Sequence, residues 1–561
     1  MPSESIRAAC VDDPPEAAEL VAGDPPHAAA ANKAVSAAVM PSARRARLRG
    51  PLACRPEPLV SLMSMAVRRS GSATGSRRDG PEWHSVRVSA SGRSVVVVGG
   101  GISGLAAALA LRERLPDAEI TVLEGAPRIG GKLQRAEVGG VTVDVGAEAM
   151  LNRRPEATAL ARAVGLADEL VHPLTTTAYL WNRNRLVPMP RTLMGVPGDA
   201  KALDGVLSRA GQARAALEPR LPATELAGAD ISIGRLVEER FGKEVVDRLV
   251  EPLLGGVYAG HAREISARAA VPQVVALLEK DRSLTRAAAA ALAVPAGEVP
   301  VFAGIRGGLG RLPEAVAAAS GATVLTGSTA RDLARRTDGG WHVVVGETRD
   351  PRLVAADAVV LATPARPTAR LLSDVAPTAA LELARIDYAS MAIVTLAFPA
   401  HDFPPVGGSG FLAPPVDGHV VKAATFSHQK WNWVAQAGRR GDGADVAVMR
   451  CSIGRHGEEE VLQVGDEDLV AAAVADLGRA IGLSVAPVDS HVQRWGGALP
   501  QYTVGHLDRI ATVRADLEGV TGLAVCGAAY DGLGLPACIG SARRAADKVV
   551  ADLRAREASA S

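Results

Sequence analysis

From Arg93 onward, apolar and polar positions fall into short runs whose period switches between two and that of a helix; residues 1–92 hold neither period. That arm is rich in Ala, Pro, Ser and Arg, so it reads as disordered, or as a mis-called start with initiation at Met63, Met65 or later. Arg44, Arg45, Arg47, Arg49, Arg68 and Arg69 suggest a transit peptide, but Glu4, Asp12, Asp13, Glu16, Glu19 and Asp24 oppose it. Residues 94–98 then form an apolar β-branched run, glycines follow, 105–114 carry helical spacing and 120–123 read as a second strand. Such a β-α-β opening predicts a parallel sheet and an α/β class. Residues 195–295 repeat at helical spacing and predict a helical lobe. Strand-like runs return at 322–325, 341–345 and 358–361, and those at 393–398, 420–426 and 446–452 suggest a second sheet. A helix is expected over 470–481; glycine-rich 525–540 leads to a last helix from 541 to about 554.

Composition narrows the class. The 561 residues are 48% hydrophobic and 22% charged with a formal net charge of +1, an ordinary globular balance that gives no argument for nucleic acid as a partner. Five cysteines without a CxxC pair disfavour a disulfide framework or a zinc site and point to a reducing, cytoplasmic compartment. No apolar run reaches the roughly 18 residues that a membrane span needs.

The chemistry begins at Gly99, Gly100, Gly101, Ile102, Ser103 and Gly104, which fit GxGxxG between a strand and a helix. The first glycine makes the turn, the second lets the main chain approach a pyrophosphate, and the third lets helix and strand pack closely. The helix then directs unpaired N–H groups and its positive dipole end at the phosphates. Glu124 ends the second strand, where an acid accepts hydrogen bonds from ribose hydroxyls. NAD and FAD share this cradle. Arg128, Gly130, Gly131 and Lys132, followed by GVTVDVGAEAM at 140–150, resemble the second signature of the FAD-dependent amine oxidase superfamily.

Distant blocks make the resemblance specific: EPLLGGVYAGHAREISARAAVPQ at 251–273, a glycine-rich stretch at 302–312, GFLAPP and ATFSHQKW within 408–431, WGGALPQYTVGHLD at 495–508, and GAAYDGLGLPACIG at 527–540. The chain from about 93 to 555 resembles the protoporphyrinogen/coproporphyrinogen oxidase family, nearest its bacterial coproporphyrinogen III oxidase type. The resemblance implies a discontinuous Rossmann-like FAD domain (93–170, 296–372 and 506–561), a mixed-sheet substrate domain (373–505) and a mostly helical lobe (171–295). It places FAD contacts at Gly99 to Gly104, Glu124, Lys132, Gly146, Ala147, Glu148, Ala149 and Ala330, with Trp495, Leu533, Gly534 and Leu535 beside the flavin. Many relatives carry Pro and Asp where this chain has Ala147 and Glu148, and Asp in place of Ala537.

The implied reaction is oxidation of a porphyrinogen in haem synthesis, with molecular oxygen as acceptor and hydrogen peroxide released. Coproporphyrinogen III is preferred and protoporphyrinogen IX is the alternative. The flavin carries the chemistry, so no catalytic side chain and no metal is expected, and no nucleophilic triad or HExxH is present. Substrate propionates call for cations: Arg154 matches the family's basic position, with Arg153 beside it, and a solvated pair is the competing reading. Arg191 and Lys422 are weaker candidates. His261 and His428 read as structural, and Tyr502 and Tyr530 as packing near the flavin or in the core. More distant readings are an amine oxidase, a carotenoid desaturase, or a binding protein that has lost its flavin. Peripheral membrane contact through the helical lobe and hand-over to other haem-pathway enzymes are further expectations, although the 283–293 stretch equally suits a core-facing helix.

Overall fold

The computed structural model describes residues 85–86, 93–294, 299–441 and 443–560. The arm read over 1–92, with its start-codon and transit-peptide readings, lies outside them except for Ser85 and Val86, which pair in parallel with Leu353 and Val354.

Ser94–Val98 is the centre of a five-stranded parallel sheet, ordered Thr323–Leu325, Glu119–Leu123, Ser94–Val98, Ala358–Leu361, Leu523–Val525. Its four valines are buried on both faces, as a sheet covered on both sides demands. Val95 and Val97 join the core under the helices Ile102–Arg114 and Leu535–Ala560. Val96 and Val98 face the antiparallel meander Ala330–Arg335, Trp341–Glu347, Asp350–Ala356. The C-terminal helix begins at Leu535 rather than 541. Pro536 lacks an N–H, but the first turn needs none there, so the helix can open within the glycine-rich stretch. The first helix likewise begins at Ile102, inside the glycine loop.

The second sheet has seven strands, ordered Asp489–Pro500, Tyr388–Pro399, Val446–Ile453, Ala423–Thr425, Gly410–Leu412, Tyr179–Asn182, Arg185–Pro188. It is mixed, because Gly410–Leu412 runs parallel to Tyr179–Asn182. Those last two strands come from the segment expected to be helical; Arg183 and Asn184 turn between them with φ of 50° and 57°, the left-handed pair of a tight hairpin. Asp489–Pro500 was not legible as a strand, since Gly496 and Gly497 interrupt its pattern.

The helical lobe includes Arg209–Ala215, Ile233–Phe241, Glu251–Tyr258, Pro272–Lys280 and Leu284–Ala293 around its own core. Leu284–Ala293 turns Leu284, Ala287, Ala288 and Leu292 inward, so the stretch considered for membrane contact buries its apolar face in this lobe. Buried Glu218 holds its start, accepting from Ser283 Oγ at 2.6 Å and from the amides of Leu284 at 2.9 Å and Thr285 at 3.1 Å. The lobe is pinned to the sheet by Gln501 Nε2 donating to Tyr258 O at 2.8 Å and by the His456 amide donating to Ala259 O at 2.7 Å. A Cβ on Gly255 would stand 2.5 Å from Arg455, and one on Gly260 would stand 1.9 Å from Gln501. The glycines of the 251–273 block are therefore docking clearances.

Candidate active site

The glycine loop follows the central strand directly. Gly99 adopts φ +111°, donates to Leu123 O at 2.7 Å, and leaves no room for a Cβ against Ala362 O at 2.9 Å. At Gly104 a Cβ would stand 1.8 Å from Gly99 O, which is what lets helix and strand touch. A Cβ on Gly101 would meet nothing within 4 Å, so that side of its main chain is open to a ligand. Glu124 accepts from the amides of Gly100 at 2.6 Å and Ala126 at 2.7 Å, fixing its carboxylate beside the loop. Next to it, Ser328 donates to Glu124 O at 2.8 Å, and Ala330 lies buried two residues on.

Three further segments close on this loop. Gly130 donates to Gly100 O at 2.8 Å, and Gly131 abuts Gly101, so the glycine pair lies against the dinucleotide loop. Lys132 follows, exposed at its surface although the surrounding protein lowers its pKa by desolvation. Ala147 donates to Lys132 O at 3.2 Å, and a Cβ on Gly146 would meet that same oxygen at 1.9 Å. Trp495 joins here, its indole N–H donating to Val145 O at 3.1 Å, with the Arg128 guanidinium 5.9 Å from its ring centroid. From the C-terminal side, Leu533 and Gly534 lead into the helix at Leu535. Burial pushes the Cys538 thiol up to about 11, against a hydrogen bond with Ser103 and the charge of Lys132. Segments from residues 99–132 and 533–538 thus meet at one place, bringing Ser103, Lys132 and Cys538 together.

Glu148 has a different commitment. Its carboxylate accepts from Lys430 Nζ at 2.5 Å and Arg450 Nη1 at 2.9 Å, all three side chains being at most 5% exposed. Burial alone would raise its pKa; the two cations outweigh that and hold it at about 2. Arg450 also donates to Gly146 O at 2.6 Å, so the pair braces the 146–149 segment from below. Asp144, pushed up by burial to about 7, accepts from the amides of Gly310 at 3.0 Å and Leu309 at 2.8 Å. Sequence reasoning missed Lys430, Arg450 and Asp144. A lone arginine in the otherwise apolar strand Val446–Ile453 was the available signal.

The propionate candidates lie just beyond this segment. Met150–Leu151 pairs with Phe302–Ile305, and Arg153 and Arg154 follow. Arg154 is exposed and ion-paired with Glu156. Lys422 is fully buried and donates to Gly454 O at 2.6 Å, and Arg191 donates to Leu292 O at 2.8 Å. His261 contacts His456 O at 2.9 Å and His428 contacts Val448 O at 3.1 Å, both as ties between segments.

The profile of the flavin containing amine oxidoreductases matches residues 102–550. The coproporphyrinogen III oxidase of Mycobacterium bovis is 39% identical over 474 residues, covering 83% of this chain and 99% of that protein. The chain belongs to the coproporphyrinogen III oxidase group of the flavin-containing amine oxidoreductases. The enzyme of that name from Bacillus subtilis is 30% identical across 81% of the chain and 97% of its own length. A crystal structure from Exiguobacterium sp. 255-15, assigned to the protoporphyrinogen oxidase type, superposes with a TM-score of 0.73 at 31% identity, covering 82% of this chain and 99% of that one. The cyclohexylamine oxidase of Brevibacterium oxydans shares the fold at a TM-score of 0.59 and 16% identity, covering 83% and 100%.

This member of the group is an FAD-dependent oxidoreductase, and its residues fit the cofactor. Open main chain at Gly101 suits a diphosphate, Glu124 a ribose, and the helix beginning at Leu535 an electron-rich ring edge. Among the described residues no helix is long and apolar enough to cross a membrane.

Proposed function

We propose that the chain oxidises coproporphyrinogen III to coproporphyrin III in haem biosynthesis, consuming three molecules of oxygen and releasing three of hydrogen peroxide. The end-to-end match to coproporphyrinogen III oxidases carries this reading. FAD, when bound, accepts hydride equivalents from the meso carbons of the macrocycle. The protein's share is to orient a flexible, tetra-anionic macrocycle that becomes flat only on oxidation. Met391, Ile393 and Ala498 form a small apolar cluster with Trp495 and Leu499 at its edge, adjoining Gly146. We assign the partly exposed edge of this cluster, Trp495 and Leu499, to one face of the macrocycle. Arg154, with Arg153, takes a propionate; its pair with Glu156 is exposed and so exchangeable at little cost.

Supplying the purified protein with each porphyrinogen, while following porphyrin fluorescence and peroxide, tests the reading. Coproporphyrinogen III should turn over faster, and Arg154→Ala should raise its KM about tenfold with kcat nearly unchanged. Faster turnover of protoporphyrinogen IX would instead favour the second reading, which the Exiguobacterium structure supports. A cytoplasmic setting accords with the free, buried Cys451, Cys526 and Cys538. Hand-over of product to another haem-pathway enzyme and peripheral membrane contact belong to the same proposal, and co-sedimentation with anionic vesicles tests the latter.

A further inference from the structure

One buried hydroxyl joins the helical lobe to the flavin-side turn. Tyr502 is 2% exposed. Its carbonyl accepts from the Ser266 amide at 2.7 Å, and its neighbours bind the same lobe segment: Thr503 bridges Ile265, and the Val504 amide donates to Glu264 O at 3.1 Å. Its ring stacks on His506 at 3.9 Å between centroids and meets Tyr258 of the lobe at 5.7 Å. The ring is therefore held between the lobe and the start of the helix His506–Glu518. Its hydroxyl points the other way. It donates to Ala528 O at 2.6 Å and accepts from the Gly532 amide at 2.8 Å, spanning the loop that delivers Leu533 and Gly534.

That loop depends on the span. Gly532 adopts φ +130°, which a side-chain-bearing residue rarely does, and a Cβ there would meet Ala537 at 2.9 Å. Gly532 O and Leu533 O face the Cys538 thiol at 3.8 and 3.7 Å, and Leu533 packs on the lobe's core. A shift of the Gly532 peptide would thus move Leu533, Gly534 and the start of the C-terminal helix together.

We infer that Tyr502 is a positioning residue, whose hydroxyl sets the flavin-side turn and makes cofactor binding and flavin potential depend on how the helical lobe is seated. This rests on the placement of the flavin beside Leu533–Leu535. Tyr502→Phe keeps both ring contacts and removes both hydrogen bonds, freeing the Gly532 peptide. Amides at the helix start favour negative charge on the ring edge, which reduction increases. Loosening them weakens the reduced state more than the oxidised one.

The test compares wild type, Tyr502→Phe and Tyr258→Phe, the last removing a hydroxyl from the same stack without touching the loop. FAD dissociation constants come from flavin fluorescence of reconstituted apoprotein, and midpoint potentials from dye equilibration. Tyr502→Phe should weaken FAD by about three- to thirtyfold. A further tenfold bias against the reduced form would lower the two-electron potential by about 30 mV. The Tyr502→Phe apoprotein should melt somewhat lower for the two buried hydrogen bonds it loses, whereas Tyr258→Phe should match wild type in FAD affinity and potential. A Tyr502→Phe protein with wild-type affinity and potential would overturn the inference while leaving the flavin assignment standing. A wild type that takes up no FAD would end both. If Tyr502→Phe does not fold, amide exchange of the wild-type apoprotein decides: slow exchange at Gly532 supports the span, and free exchange refutes it.

Discussion

Replacing Lys430 by Met probes the buried anchor beneath the 146–149 segment. The ammonium lies 2.5 Å from Glu148, and the substitution keeps most of its volume while removing the charge. Breaking a buried pair from one side costs about 3–5 kcal/mol, because the other charge stays behind. Arg450 at 2.9 Å and Ser427 Oγ at 3.4 Å still serve Glu148, so the lower end applies. The fall of Glu148 from its ordinary 4.5 to about 2, the net of burial against both cations, corresponds to about 3 kcal/mol of preferential stabilisation of the ionised folded form, which Lys430 and Arg450 share. Because the folded value is depressed, this contribution is complete above pH 4.5 and drains away as pH falls towards 2. The variant should therefore be less stable at pH 7, and its stability should depend less on pH across that acid window. Urea unfolding followed by tryptophan fluorescence measures both; Trp431, with the ammonium 5.2 Å from its ring centroid, reports locally. Equal midpoints at pH 7 and equal acid slopes for the two proteins would refute the argument.

Other outcomes follow from the same geometry. Gly104→Ala, whose Cβ would stand 1.8 Å from Gly99 O, should purify without the yellow flavin absorbance. Glu124→Gln keeps one acceptor for two amides and should weaken FAD about tenfold by fluorescence titration. Gly260→Ala, pressing on Gln501, should unseat the lobe and make it the first site cut in limited proteolysis. Cys451, Cys526 and Cys538 are buried and burial pushes their thiols up, so peptide mapping should find them alkylated only after unfolding.

The dinucleotide loop was legible because its chemistry is local: a β-branched run, three spaced glycines and an acid all lie within 94–124. The same holds for the turn before Leu535, although its helix starts earlier than the glycines suggested. What could not be read is whatever depends on partners far along the chain. Glu148 resembles a cofactor contact by position, yet its carboxylate is held by residues 282 and 302 places away. Lys422 looks like an available cation until the fold buries it against Gly454. Strands 179–188 carry too few residues to outweigh their helical surroundings; the neighbour Gly410–Leu412 makes them a sheet.

The order of the parallel sheet has a bearing on biosynthesis. Its outer strand, Leu523–Val525, and the helix Leu535–Ala560 lie far downstream of the phosphate loop and are made long after it. A nascent polypeptide can shape its phosphate loop early, but the wall holding Cys538 against Ser103 arrives only once residues 523–560 have been made. Prosthetic-group capture thus waits on residues 523–560, and nonsense mutations ahead of them should leave protein that never turns yellow.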